Sequence, residues 1–414
     1  MREKTRVILL AVLMIASVGA SRIFAEEIVI GFSGPLSGPA AEYGQDCLNG
    51  IEMAVGEINA GGGVLVKGQR LKIRVEKRDD RVDPAASLEN AQELRNSHKA
   101  LAIFNPVTNT LASMMGINEK PGREFLIMAY SSVPGVSETG NKLLVAITTP
   151  FTTYVRNEAD LAWSKGWRRG AMVVTSGAYG EGWRKAFSQI WTQKGGLITI
   201  DKPTNYYVKT EFVGPLQAAL ETDPDFLLIG GPSATTAMIV EQARARGFEG
   251  GFVLTDQVNL DALYQLMEKP LCLEGAIGVA MLSHISYPAS GSFTQSYKSS
   301  YLRNPTWECV LNYVGMHALA KAIFLAGTSD DVRSIRLAFS KVMPLLGDIY
   351  PVEVYGLTPG GRFIISSSIQ TFRYGRFTKP TNDVWWANTI EEYNQVKKIT
   401  KSDIPPVWKK YADQ

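Results

Sequence analysis

The sequence has few of the residues that hydrolases and metalloproteins use at their centres. It contains three histidines and three cysteines among 414 residues. No two histidines stand at helical spacing and no cysteines form a CxxC pair, so the usual zinc-binding patterns are absent. The nearest approach to a nucleophile elbow, at residues 31–35, lacks the final glycine of GxSxG. We therefore expect a protein that is not an enzyme and that holds no cofactor and no metal.

An excess of charge of one sign is also missing. The chain has 43 basic and 40 acidic residues, and residues 1–25 hold four of the basic ones and one of the acidic ones. The remainder is therefore neutral, with 39 of each. A neutral surface does not attract nucleic acid or an anionic bilayer, and we expect neither as a partner.

The first residues predict export from the cytoplasm. Three basic residues within the first six precede an uninterrupted apolar run at 7–16, which is the pattern of a secretory signal peptide. The run is shorter than the roughly 20 apolar residues of a spanning helix. Cleavage is expected after Ala20 or, preferably, Ala25, and the first cysteine, Cys47, is too distant for a lipoprotein anchor. We expect a soluble periplasmic product.

From residue 27 the chain alternates short apolar runs with helix-length segments. A helical face joins Cys47, Ile51 and Val55, and Asp83 before Pro84 predicts the start of another helix. Such alternation predicts parallel sheets covered by helices on both faces. The strand-like runs are residues 27–32, 71–76, 100–104, 125–129, 171–175, 226–229 and 252–254.

The length of the chain exceeds what one hydrophobic core serves, so two lobes are expected. An irregular passage at 148–151 precedes a new strand series, and a second crossing is expected near 274–282. The last 60 or so residues are typical of antiparallel ribbon. We predict an α/β fold of two Rossmann-like lobes: the first is built from 26–147 and 283–350, the second from 148–282 and 351–414.

Ligands of open parallel sheets bind beyond the carboxyl ends of the strands, so the loops after the strands are candidate site segments. The glycine-rich loop 31–44 lacks both common phosphate-binding patterns. In the loop 105–110, Thr108 precedes a helical pattern, where a capping hydroxyl and free amides suit a carboxylate. The alternative is that Thr108 only caps its helix. Ser132, in the loop after 125–129, is interpreted in the same way, with a plain surface turn as the alternative.

Several motifs in a fixed order resemble those of the leucine/isoleucine/valine-type periplasmic binding proteins of ABC transporters. The resemblance covers about residues 28–282 and implies a type 1 periplasmic binding fold, whose lobes are joined by a three-strand hinge. It implies capture of an amino acid or related carboxylate and delivery to an inner-membrane permease. The motifs are Gly34 to Gly44, Glu57 to Gly62, Asp79-Asp80 with Asp83-Pro84, Ala178 to Gly182, and Gln242 to Gly247.

The same resemblance implies a set of ligand-binding residues. Pro106 and Thr108 match the positions that hold a ligand's carboxylate, and Ser132 with Asp256 match those that hold its ammonium. Tyr179 is expected to meet the ligand from the second lobe. A solvated turn is the alternative for Asp256. We expect Tyr43 and Tyr130 to border the ligand's side chain.

The sequence also departs from the family pattern, which leaves the ligand open. Asp256 is shorter than the family's usual glutamate, and Pro232 follows a Gly-Gly where an aromatic wall is common. Tyr130 replaces a small residue, and Arg81 and Val82 stand where some relatives have a cysteine. An aromatic acid or an amide therefore remains an alternative ligand, and a signalling receptor remains an alternative to a permease as partner.

Overall fold

The computed structural model describes residues 27–285, 287–404 and 406. The predicted signal peptide, residues 1–25, lies outside the described residues. The strands are β1 (Ile28–Gly34), β2 (Val64–Val66), β3 (Gln69–Leu71), β4 (Ile73–Asp79), β5 (Ala102–Asn105), β6 (Leu126–Ala129), β7 (Leu144–Ala146), β8 (Arg169–Val174), β9 (Leu197–Asp201), β10 (Phe226–Gly230), β11 (Gly251–Leu254), β12 (Ala276–Val279), β13 (Gly356–Leu357), β14 (Phe363–Ile364), β15 (Ser367–Arg373), β16 (Arg376–Phe377) and β17 (Thr381–Asp383). The helices are α1 (Ala41–Ala60), α2 (Pro84–Asn96), α3 (Thr108–Met115), α4 (Phe151–Ser164), α5 (Ala178–Gln193), α6 (Val213–Leu220), α7 (Ser233–Ala245), α8 (Leu260–Leu266), α9 (Ser290–Tyr301), α10 (Trp307–Ala326), α11 (Val332–Val342) and α12 (Ile390–Ile399).

The first sheet is parallel throughout, in the order β4-β1-β5-β6-β7. Every residue of β1, β5 and β6 is buried, because helices cover both faces. On one face α1, α9, α10 and α11 supply the core, and on the other α2 and α3 do so. The prediction of a parallel sheet between helical layers is confirmed for this part of the chain.

The second sheet has eight strands, in the order β16-β15-β12-β11-β10-β8-β9 with β17 beside β15. The strands from β12 to β9 run parallel, and β15 joins β12 antiparallel. Two separate hydrophobic clusters cover its faces, one built on α6, α7 and α8, the other on α4 and α5. We propose that each sheet with its helices is one lobe.

One boundary differs from the sequence expectation. Residues 351–414 were expected in the second lobe, yet Val352, Val354, Phe363 and Ile365 pack in the first core. The ribbon pattern predicts that such strands pair, but it does not say which sheet they adjoin. The change of sheet occurs at β15, and we accordingly propose a lobe boundary near residue 366.

Three crossings of the chain connect the two sheets, one after β7, one after β12 and one before β15. They lie side by side. The Thr149 hydroxyl donates to the Ile365 carbonyl (3.4 Å), and the Ala280 amide donates to the Ser368 carbonyl (2.9 Å). Three adjacent crossings give the arrangement of a hinge.

Helix α10 is long and apolar enough to cross a membrane by length and composition. Most of it is buried in the first core, where it packs against α1 and α11. A Cβ on Gly50 of α1 would stand 2.0 Å from the Cys309 carbonyl oxygen. The absence of a side chain at Gly50 therefore permits this close helix contact.

The cysteines of the described residues form no disulfide. Cys309 and Cys47 are buried and unpaired, and Cys272 is unpaired as well.

The close contact between α1 and α10 predicts different outcomes for two glycines of α1. Gly50→Ala should lower the free energy of unfolding by about 1–3 kcal/mol, because the added methyl overlaps the α10 backbone. Gly56→Ala is the matched control, since nothing lies within 4 Å of its added Cβ, and it should gain up to about 1 kcal/mol from helix propensity. Urea unfolding measures both, and equal effects would contradict the proposed packing constraint.

Candidate functional site

A narrow cavity of about 30 Å³ lies between the two lobes at the carboxyl ends of their parallel strands. This is the position at which ligands of such sheets bind. The structure brings together all seven residues predicted as ligand contacts, and ligand binding by them stays a prediction. The lining residues are Tyr43, Pro106, Thr108, Tyr130, Ser131, Ser132, Thr148, Tyr179, Tyr207, Asp256 and Gln257.

On the first lobe, α1 and the loop after β5 meet at Tyr43. Its hydroxyl donates to the Pro106 carbonyl (2.9 Å), and its ring lies edge-on to Tyr130 with centroids 6.1 Å apart. Gly44 permits this placement, because a Cβ there would stand 1.8 Å from the Pro35 carbonyl oxygen. The glycine-rich loop therefore serves to seat Tyr43 at the cavity wall.

The expectation that Thr108 caps its helix is wrong. Helix α3 begins at Thr108 itself, and its N-cap position is Val107. The side-chain oxygen of Asn105 accepts from the Val107 amide (3.1 Å) and the Thr110 hydroxyl (3.1 Å), so Asn105 organises this turn. The Thr108 hydroxyl instead pairs with that of Ser131 at 2.8 Å. Two hydroxyls and a helix N-terminus thus face the cavity together.

Asp256 lies in a turn of the second lobe and is half-buried, and its carboxylate is hydrogen-bonded within the protein. One carboxylate oxygen accepts from the Tyr179 hydroxyl (2.7 Å) and from the Trp183 indole (2.6 Å). Burial raises the pKa of Asp256, and hydrogen bonds from Ser132, Tyr179 and Trp183 oppose the rise. The Gln257 amide donates to the same Tyr179 hydroxyl (3.1 Å).

The two lobes touch across the cleft beside this carboxylate. Ser132 of the first lobe lines the cavity with Asp256 and helps to lower the pKa of its carboxyl. Next to it, the Ala178 amide at the start of α5 donates to the Asn109 side chain of α3 (3.3 Å). Tyr207 of the second lobe also packs against the first core. Both lobes therefore line the cavity and contact each other beside it.

The model of one protein family, described as periplasmic binding protein, matches residues 27–357. This is most of the chain. The chain belongs to the periplasmic binding protein family. The resemblance found in the sequence motifs is thereby confirmed.

Individual relatives agree with the family assignment. The Leu/Ile/Val-binding protein of Escherichia coli is 28% identical over 240 residues, which are 58% of this chain and 64% of that relative. The chain thus spans less than two thirds of the curated relatives that it matches first. An isoleucine-bound branched-chain substrate binding protein from Streptococcus pneumoniae has a TM-score of 0.73 at 21% identity, covering 86% of this chain and 99% of its own. A benzoate-bound solute binding protein from R. palustris scores 0.71 at 18% identity, covering 86% and 95%.

Sequence reasoning missed part of this binding protein's cavity wall. Ser131, Thr148, Tyr207 and Gln257 line it as well. The Tyr207 hydroxyl and the Gln257 side-chain amide are hydrogen-bonded to each other (2.8–3.0 Å). Tyr207 follows the half-exposed edge strand β9, which lacks the apolar run that revealed the other strands. The regular alternation of strands and helices along the chain was the signal that could have located this strand and the loop that carries Tyr207.

Pro232, where the sequence predicts the loss of an aromatic wall, does not line this cavity. It borders a neighbouring cavity, together with Ser233 and Tyr43. Tyr130, the bulky replacement, does line the main cavity. The two departures from the family pattern therefore act on different parts of the cleft.

A buried arginine supports the cavity from behind and was not assigned a role from the sequence. Arg362 is 2% exposed. Its guanidinium donates to the carbonyls of Ser131 (2.9 Å), Val133 (2.6 Å) and Thr148 (3.1 Å). Burial lowers the pKa of Arg362 to about 10. Because Ser131 and Thr148 line the cavity, Arg362 is a positioning residue for the first lobe's hydroxyls.

Replacement of Arg362 should be costly for stability. In Arg362→Met the three carbonyls lose their donor while they remain buried, so the free energy of unfolding should fall by about 3 kcal/mol or more. Arg246→Met is the control, because the Arg246 side chain is exposed and bonds only a carbonyl of its own helix. Urea unfolding compares them, and a loss no larger than that of the control would refute this role.

Proposed function

We propose that this binding protein captures a small carboxylate, an amino acid or a close relative, between its lobes and delivers it to an ABC permease. The observation that carries the proposal is the cavity between the lobes, which has hydroxyls and a helix N-terminus on the first lobe and a half-buried carboxylate on the second. Binding occurs without turnover.

The first lobe offers a seat for an anionic group. Thr108 stands at the start of α3, where unpaired backbone amides favour negative charge. The Thr108 and Ser131 hydroxyls add two further polar contacts. A ligand carboxylate placed here would be hydrogen-bonded before the second lobe closes over it by a hinge motion.

The second lobe offers a counter-charge for an ammonium group. Asp256 is half-buried, so a ligand ammonium would meet it partly shielded from water, where a charge-assisted hydrogen bond is stronger than in bulk solvent. The binding also offsets the cost of burying the carboxylate. Asp256 with Ser132 thus suits the amine of an amino acid.

Delivery and location are part of the same proposal. The family is one of periplasmic binding proteins, and the sequence begins with the pattern of a signal peptide. We infer that the mature chain acts in the periplasm. The closed shape is the form we expect an inner-membrane permease to recognise.

An aromatic acid is the second candidate ligand. Four tyrosines line the cavity: Tyr43, Tyr130, Tyr179 and Tyr207. Rings of this kind pack against a flat aromatic group. One oxygen of Asp256 already has two donors from its own lobe, so the carboxylate does not depend on a ligand amine. The benzoate complex of the R. palustris protein is consistent with this alternative.

A thermal-shift screen tests the proposal. Ligand at 100 times its dissociation constant should add about 2.7 kcal/mol of stability and raise the unfolding temperature measurably. Branched-chain and other amino acids, benzoates and simple amides form the panel, with a sugar as the negative control. A protein that responds to no carboxylate in the panel would overturn the proposed ligand class.

Substitution of Asp256 separates the two candidates. Asp256→Asn keeps the shape of the side chain but removes its charge, so amino acid affinity should fall by roughly 30- to 100-fold. Benzoate affinity should change far less, because benzoate carries no ammonium. Calorimetry measures both, with the exposed Asp348→Asn as control. Unchanged amino acid affinity would rule out Asp256 as the ammonium contact.

A further inference from the structure

A second narrow cavity, of about 20 Å³, adjoins the first and also lies between the lobes. Tyr43 lines both, so the two cavities are neighbours. Thr108 lines the first cavity and not the second. Its lining is Pro39, Glu42, Tyr43, Asp46, Pro232, Ser233, Ala234, Asn259, Ala262, Thr306 and Glu308.

Glu308 is the unusual residue of this cavity. It is 2% exposed. One of its carboxylate oxygens accepts from the Asn259 side chain of the opposite lobe (2.7 Å), and the other has no hydrogen-bond partner among the described residues. Acids are common in the first turn of a helix, where they favour the dipole, but they are normally solvated. A buried carboxylate oxygen without a partner is costly unless a ligand supplies one.

The charges around Glu308 do not compensate it. Asp46 is buried beside it and is paired with Arg303 (3.2 Å) and the Thr306 hydroxyl (3.0 Å). Arg303 also contacts Glu42. One cation is therefore shared by two acids, and Glu308 adds a third acid without a further cation. The cavity is acidic.

The influence of Glu308 extends to the main cavity. Burial raises the pKa of Tyr130, and Glu308 is the strongest of the charged groups that raise it further. Glu308 also contributes to the raised pKa of Tyr43 and of Tyr207. All three tyrosines line the main cavity, and Tyr43 also lines the cavity of Glu308, so Glu308 lies close to the main cavity.

We propose that Glu308 is a specificity residue for the far end of the ligand, selecting carboxylates that carry a positively charged nitrogen at the end opposite the carboxylate. The proposal rests on the proposed function, because it assumes that the carboxylate is held at Thr108. Burial and the nearby Asp46 raise the pKa of Glu308 to about 8, and a ligand cation would offset both effects. It would also supply the missing partner of the free oxygen.

Two pairs of probes isolate the distal charge. Arginine and citrulline have nearly the same shape, but only arginine is cationic at its far end. The pair 4-(aminomethyl)benzoate and 4-ethylbenzoate does the same for an aromatic acid. Calorimetry with the wild-type chain should show that the cationic member binds at least roughly tenfold more tightly in whichever pair binds.

Two isosteric variants test whether Glu308 is responsible. Glu308→Gln should reduce the preference for the cationic probe to less than about twofold. Glu158→Gln should retain it. Glu158 is the matched control, because it is also buried, its carboxylate oxygens also lack partners among the described residues, and it lines neither cavity. Thermal unfolding confirms that both variants are folded.

The outcomes are separable. Equal affinities within a pair for the wild type, or a preference that Glu308→Gln retains, would overturn the distal subsite and leave the proposed function intact. Binding of leucine or benzoate, but of neither member of either pair, would do the same. Failure to bind any carboxylate would overturn the proposed function and this inference with it.

Discussion

The hydrogen bonding of the half-buried Asp256 carboxylate is the constraint on which the cleft depends. A charge taken out of water costs free energy unless it is paired and hydrogen-bonded. Tyr179 and Trp183 satisfy part of this requirement within the second lobe, and Ser132 of the first lobe helps to lower the pKa of the carboxyl. The carboxylate is therefore best stabilised when the lobes are together, which ties the closed shape to the chemistry of the site.

The rest of the site is arranged so that these groups meet. Arg362 fixes the backbone of the two loops that carry Ser131 and Thr148. On the second lobe, a Cβ on Gly180 would stand 1.7 Å from the Thr175 carbonyl oxygen, so a glycine lets α5 start close to its strand and presents Tyr179. Rigid supports on both sides leave the hinge as the moving part.

The sequence was sufficient for the features that depend on local pattern. Buried β-branched runs revealed β1, β5 and β6, and the loops that follow them carry the first lobe's site residues. Features that depend on contacts between distant parts of the chain could not be predicted from the sequence. Arg362 and Glu308 are charged residues far from the motifs, and nothing local indicates that they are buried. Residues 351–365 were placed in the wrong lobe for the same reason, because strand pattern does not specify the neighbouring sheet.

The motifs that identify the family mostly build its scaffold. The Asn59 side chain bonds both the amide and the carbonyl of Ile73 (2.8 Å each), which ties α1 to β4. Asp79 accepts from the Leu36 amide (2.9 Å) and holds the first loop. Neither side chain lines the main cavity, so neither contacts a ligand held there. On our proposal, ligand identity instead depends on side chains such as Glu308 that lie outside the motifs. Family membership therefore indicates only a class of ligand, and the side chains of the cleft determine which member of that class binds.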